Sequence, residues 1–258
     1  MVGPYESKLG LAEIIESSGL TVSNNKIVFP SWVKRLKIDV GLSSNAPQSK
    51  KWLEEDPGLA VIGFEPVLKN VEAIRNGCSP WPIKINPSLV GKRLFILPIA
   101  VANVRELTSA VMYVTAKDSG CSSLLIPNNF EVASTELVKL MPLQALLEMI
   151  DDKDMQYVQH LKTDCQGSDL SVLEGAGDYI SRILVITAEP ENRQYRNSNN
   201  SKNEIRQFLE GKGFINYRKI KQETKNLRWV FHVDDPTFVN YELFTRCRPE
   251  DIYIYQQG

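Results

Sequence analysis

The stretch "LKIDVGLSSNAPQSKKWL", residues 36–53, decides the fold. Leu36 to Val40 is a short apolar run with strand character that delivers Asp39 and Gly41 into a turn. A helix-like run follows at Pro47, which suits a first helical turn because it has no amide hydrogen to leave unpaired. Strand, glycine turn and helix open a nucleotide-binding α/β unit. The second and third glycines of a dinucleotide turn are absent, and Ser43, Ser44, Asn45 and Ala46 stand there instead. The stretch therefore promises a cofactor site of a different kind, or a site that has drifted.

Working outward, apolar runs alternate with helical patterns. "LAVIGFEP" (59–66) reads as strand, "VLKNVEAIRNG" (67–77) as helix and "RLFILPIAV" (93–101) as strand. Later "MQYVQHLKTD" (155–164) and "SRILVITAE" (181–189) read as strands, each followed by a helix, "SDLSVLEGAGDYI" (168–180) and "SKNEIRQFLEGKG" (201–213). Alternation with continuous apolar strands is the pattern of a parallel sheet covered on both faces, so the fold class is α/β. Between these stretches the rhythm breaks. "SAVMYVT" (109–115) reads as a half-buried strand, "AKDSGCSSLLIPNNF" (116–130) as a loop, and "LVKLMPLQALLEMI" (137–150) as a short strand running into a helix. A loop that long is often functional, though an irregular insertion fits it as well. "FINYRKI" (214–220) and "RWVFHVD" (228–234) read as an antiparallel hairpin, "PENRQYRNSNNSKN" (190–203) as a mobile surface loop, and residues 7–18 as an amphipathic lead helix. At 258 residues one domain is the default, with a helical lead-in over 1–30, a core over 36–240 and an extension over 241–258.

Composition narrows the function classes. Thirty basic and 31 acidic residues leave a net charge of -1, which counts against broad electrostatic binding to nucleic acid. Cys78, Cys121, Cys165 and Cys247 are widely spaced, and the two histidines, His160 and His232, form no cluster. The reading is reduced thiols in a cytoplasmic protein and no zinc site, with a metal held by carboxylates alone still open. No signal sequence, membrane span, GxSxG elbow, HExxH or Walker loop is visible. Both histidines fall inside strands, where a hydrogen-bonded structural role is the better reading; Cys78 has no histidine near it to activate its thiol.

In a parallel sheet ligands sit beyond the carboxyl ends of the strands. That rule puts Asp39 to Asn45, Glu65-Pro66, Asp164 to Gly167 and Ala188-Glu189 on one rim. Glu65 could accept the hydroxyl hydrogens of a ribose or could cap the following helix. Asp164 could orient an incoming hydroxyl or a cationic cofactor group, or could satisfy loop amides. Lys162, two residues earlier on the same strand face, could pair with it.

Taken together, "KIDVGLSSNAPQSKKWL", "VIGFEP", "LPIAVAN", "GCSSLL", "LKTDCQGSDLSVLEGA" and "ITAE" resemble the FkbM family of S-adenosylmethionine-dependent methyltransferases over roughly residues 36 to 240. Lys162 to Ala176 is the most specific block, Phe64 to Pro66 is nearly as telling, and "DPTFVN" (235–240) looks like the family's closing strand. The resemblance implies a Rossmann-like seven-stranded methyltransferase sheet, mostly parallel with its last strand antiparallel. It also implies methyl transfer from S-adenosyl-L-methionine to a hydroxyl of a saccharide or natural product. By that likeness Asp39 and Gly41 lie at the methionine end of the cofactor and Glu65, with Pro66, at its ribose. Ala100, Val101 and Ala102 border its adenine, and Asp164 faces the sulfonium and the acceptor. Ser43, Asn45 and Gln166 complete the expected cofactor contacts, and Glu189 and Lys162 are expected to assist Asp164. Gln166 departs from the family's acidic residue before Gly167. The missing glycines do not weaken the likeness, because S-adenosylmethionine has no phosphate to nestle on a helix start. Asn45 tolerates left-handed geometry and carries an amide suited to the cofactor's amino-acid end. The expected partner is a small-molecule or saccharide acceptor. Two other functions stay open at this point: an RNA ribose methyltransferase, and a noncatalytic cofactor-binding module.

Overall fold

The computed structural model describes residues 4–191, 193–218 and 236–247. Its centre is a seven-stranded sheet. Five parallel strands form most of it: β3 (Arg35–Val40), β4 (Leu59–Phe64), β5 (Leu94–Leu97), β9 (Val158–Thr163) and β10 (Ile183–Ala188). At one edge β12 (Thr237–Asn240) lies between β10 and β11 (Phe214–Asn216), antiparallel to both, so the order is β11-β12-β10-β9-β3-β4-β5. Chain order runs outward from β3 through β4 to β5, then returns to the other side of β3 as β9 and β10. The boundary between β3 and β9 is therefore the switch point of the sheet.

β3 shows why the sequence folds this way. Leu36, Ile38 and Val40 point to one face and join the larger apolar core, with Ile62, Phe64, Leu161 and Ile186. Lys37 and Asp39 point to the other face, under α2 (Pro47–Glu55), and both are buried. Each has a partner there: the Lys37 ammonium sits 4.9 Å from the Trp52 ring centroid, and Ser49 Oγ donates to Asp39 Oδ2 at 2.6 Å. α2 opens with Pro47 in its first turn, and Trp52 and Leu53 pack on Leu59, Val61 and Ile96. α3 (Leu68–Asn76) stops at Gly77, whose positive φ of 65° suits the left-handed helix end.

Several elements depart from the sequence reading. The N-terminal lead-in holds α1 (Pro4–Ser17) and also a hairpin of β1 (Thr21–Ser23) and β2 (Lys26–Val28), turning through Asn24 and Asn25 at φ 50° and 57°. Two consecutive left-handed residues make the turn that matches strand twist, and asparagine is among the few side chains that accept it. The 93–101 run is two strands, because after β5 the chain leaves the sheet at Pro98 and β6 (Ala100–Val101) joins a separate three-stranded sheet. In that sheet β7 (Thr108–Thr115) pairs antiparallel with β8 (Val132–Met141), a ten-residue strand rather than a short one. The 168–180 helix is broken into a short helix (Asp169–Glu174) and a 3-10 turn (Gly177–Arg182), with Gly177 at φ 56°. β11 pairs with Thr237–Asn240, the "DPTFVN" stretch, while residues 228–234, including His232, lie outside the described residues. The extension begins with a helix, Tyr241–Arg246.

Candidate active site

Beyond the carboxyl ends of β3, β4 and β9 lies a partly open cleft, in the position where parallel sheets bind their ligands. Gly41, Ser43, Glu65 and Pro66 line one side, Ile99, Ala100 and Val101 a second, and Asp164 the end nearest the switch point. Gly41 is required by close approach, since a Cβ at this position would sit 2.0 Å from the Asp164 carbonyl oxygen and φ is 86°. The left-handed geometry expected of Asn45 falls on Ser43 and Ala46 instead, at φ 55° and 46°. Asn45 donates its amide to the Ile83 carbonyl at 2.8 Å and does not line the cleft.

Glu65 is buried beside the cleft. Its Oε1 accepts from the Val67 amide at 2.9 Å, just before α3 begins, so the side chain holds the strand-to-helix turn as well as lining the cleft. Burial pushes its pKa up to about 7, against the pull of hydrogen bonds from Val67, Asn70 and Ser43.

At the switch point, register places Lys162 opposite Asp39. Lys162 Nζ reaches Asp164 Oδ2 at 3.2 Å, the Gly41 carbonyl at 3.3 Å and Asp39 Oδ1 at 3.6 Å. Asp39 Oδ1 makes no hydrogen bond. Burial raises the Asp39 pKa. For Lys162 burial alone would lower the pKa, but Asp164 and Asp39 outweigh it and hold the ammonium protonated. For Asp164, burial is opposed by Lys162 and by hydrogen bonding with Glu189 and Gln166, and the carboxyl is held well below its ordinary range. Asp164 is the member that reaches solvent, with 34% of its side chain exposed.

Gln166 does not line the cleft; its Nε2 donates to Asp164 Oδ1 at 2.7 Å and to Glu189 Oε2 at 3.2 Å. Asp169 is buried and structural: it accepts from the Cys165 amide at 3.1 Å and from Asn200 Nδ2 at 3.0 Å.

Length alone marked the 116–130 loop as a candidate, and what the sequence did not show was its contacts with the cleft and with the 190–203 stretch. The 116–130 loop lines the cleft through Ser119, Gly120 and Ser122 to Leu124. Ser119 donates to Asn70 Oδ1 at 2.6 Å, and Ser123 donates to the Gln166 carbonyl at 2.8 Å. The 190–203 stretch, read as a mobile surface loop, is clasped to it. Asn128 donates to the Gln194 carbonyl at 2.7 Å, Arg196 to the Ile126 carbonyl at 2.9 Å, and Tyr195 is 2% exposed. A tyrosine and a run of asparagines in a loop were the available signal, since such side chains tie loops to neighbouring backbone.

Of the remaining candidates, Cys165 lines the cleft and His160 stands apart from it. His160 lies 2.9 Å from Thr187 Oγ1 and packs on Trp52, and burial keeps it neutral. All four cysteines are free thiols, and burial pushes Cys121 up to about 11 and raises Cys165. Among the described residues no His, Cys, Asp and Glu side chains are grouped to hold a metal ion, and no helix is long and apolar enough to cross a membrane.

A mostly parallel sheet with a cleft at its switch point, lined by Glu65 and Asp164, is an α/β arrangement of the kind in which ligands sit beyond the strand ends. The family model described as "Methyltransferase FkbM domain" matches residues 39–215. That span is well over half of the chain and contains every rim residue described above, so the chain belongs to the FkbM methyltransferase family. The comparisons with curated proteins and with solved structures found no match.

Proposed function

We propose that this methyltransferase is S-adenosyl-L-methionine-dependent and O-directed, built on the Rossmann-like methyltransferase fold, and methylates a hydroxyl of a saccharide or small natural product. The observation that carries the reading is the charge at the switch point: two carboxylates, Asp39 and Asp164, share the ammonium of Lys162, and the Gln166 amide ties Asp164 to a third, Glu189. The excess of negative charge suits a sulfonium cation. The rest of the cleft fits the same cofactor, with Glu65 available to a ribose diol and Ile99, Ala100 and Val101 offering an apolar wall to adenine.

Bound there, S-adenosylmethionine would supply a methyl group that is already electrophilic, so the protein's task is alignment and proton removal. Asp164 is the carboxylate placed to do the second. As a bond forms to the acceptor oxygen, its proton becomes acidic enough for a carboxylate of low pKa to take it. Lys162 keeps Asp164 ionised, and Asp39, buried behind Lys162, holds the ammonium in place. The 116–130 and 190–203 loops enclose the acceptor end and keep water from competing.

Calorimetry with S-adenosylmethionine, followed by methyl transfer to panels of glycans, natural products and RNAs, tests the reading. The expected product is a methyl ether on a sugar or small molecule. Transfer to RNA ribose would favour the nucleic-acid alternative, and absence of cofactor binding would favour a noncatalytic module.

A further inference from the structure

Gln166 is gripped through both its backbone and its side chain. Its backbone is left-handed at φ 51°, followed by Gly167 at 91°. A non-glycine residue in that region costs about 1 kcal/mol or more and persists where its surroundings enforce it. Here Ser123 Oγ holds its carbonyl at 2.8 Å. The Tyr195 hydroxyl lies 2.8 Å from both Gln166 Oε1 and the Cys121 carbonyl. The side-chain nitrogen lies 2.7 Å from Asp164 Oδ1 and 3.2 Å from Glu189 Oε2. The reverse amide orientation would aim an oxygen at two carboxyl groups, so the nitrogen must face them.

We infer that Gln166, locked by Tyr195, is a positioning residue: its amide spans Asp164 and Glu189 and sets their spacing and shared charge, coupling them to the two loops over the acceptor end. The role rests on the functional reading above for its purpose but not for its test. The neutral amide gives each carboxyl a donor without adding charge. A glutamate here would press a third carboxyl against the pair, and carboxyls that close cannot all ionise. The other groups facing the pair are Lys162 from β9, Asp39 from β3, Cys165 and Asp169 beside the Gln166 turn, Cys121 from the 116–130 loop, and Tyr195 from the 190–203 loop.

The test follows the carboxyl carbons of Asp164 and Glu189 by NMR in the ligand-free full chain, across about pH 2 to about 9. Wild type is compared with Gln166→Met, Gln166→Glu and Tyr195→Phe. Gln166→Met, which keeps the length but loses both donors, should raise the midpoints of the pair by about one unit. Tyr195→Phe should move them the same way by less, and Gln166→Glu should add a third coupled step. A second readout is the affinity ratio of S-adenosylmethionine to S-adenosylhomocysteine, ligands that differ by the sulfonium charge. The ratio should be flat near neutral pH in wild type and change several-fold with pH in Gln166→Glu. Midpoints unmoved in a folded Gln166→Met protein would overturn the inference. If wild type binds neither ligand, the functional reading fails, and the carboxyl midpoints still decide the role of Gln166.

Discussion

β3 begins and ends on buried ion pairs. At its start Arg35 holds Asp56 through two hydrogen bonds, Nη2 to Oδ1 at 2.6 Å and Nε to Oδ2, and the Gly58 amide adds a third at 2.9 Å. Arg93 closes the surroundings by donating to the carbonyls of Leu53, Asp56 and Leu59. At the other end Lys162 is divided among Asp39, Asp164 and the Gly41 carbonyl at 3.2 to 3.6 Å, and Asp39 Oδ1 goes without a hydrogen bond. The first cluster is saturated and faces protein. The second is loose, has more negative than positive groups and opens on a cleft. A buried pair with every oxygen engaged serves the fold, whereas a looser one that opens on a cleft through Asp164 is a candidate for function.

The contrast gives different expectations for the two ends. Asp56→Ala strands Arg35 without its carboxylate and should cost about 3–5 kcal/mol of stability in urea unfolding, leaving S-adenosylmethionine affinity unchanged while the protein is folded. Asp164→Asn should act on function first: turnover on an accepted hydroxyl falls by about 100-fold or more, S-adenosylmethionine affinity falls by much less, and the melting temperature drops less than in Asp56→Ala. Parallel losses of stability at both ends would erase the distinction.

Glu65 lies between these extremes. Because burial lifts it to about 7, its favourable contribution to the unliganded fold is complete below the ordinary value of 4.5 and is lost as pH rises through 7. Ribose hydroxyls donate best to the ionised form, so cofactor affinity should climb over the same interval. Glu65→Gln should lower affinity about tenfold, the worth of a hydrogen bond to a charged group, and flatten the pH dependence, as titration calorimetry at several pH values would measure. A wild-type affinity independent of pH would remove Glu65 from the ribose site. The smallest effect is expected at Asn45. Asn45→Ala should leave affinity intact and cost about 1 kcal/mol of stability, because its amide serves the Ile83 carbonyl; a clear loss of affinity would return it to the site.

The rim was legible in the sequence because it depends on local pattern. Apolar runs ending in Asp39-Val40-Gly41, Phe64-Glu65 and Thr163-Asp164 mark strand ends, and parallel strands bring such ends together. The second sheet was less legible, since Pro98 diverts a continuous apolar run and β8 carries exposed residues over much of its length. The β1-β2 hairpin was marked by Asn24-Asn25, a turn signal between two very short strands. What the sequence hides is contact between distant segments. Nothing near Tyr195 says that its hydroxyl meets residues 121 and 166, and nothing near Asn45 points to Ile83. Those pairings depend on how two loops fold over the sheet, which local periodicity does not encode.

The central claim is that the switch-point cleft holds S-adenosylmethionine, and calorimetric titration of the full chain with that cofactor tests it most directly. The account predicts binding at one site, which Gly41→Ala abolishes by driving a methyl into the Asp164 carbonyl and separating the ends of β3 and β9. No binding by the wild-type protein, or binding that a folded Gly41→Ala protein retains in full, would contradict it.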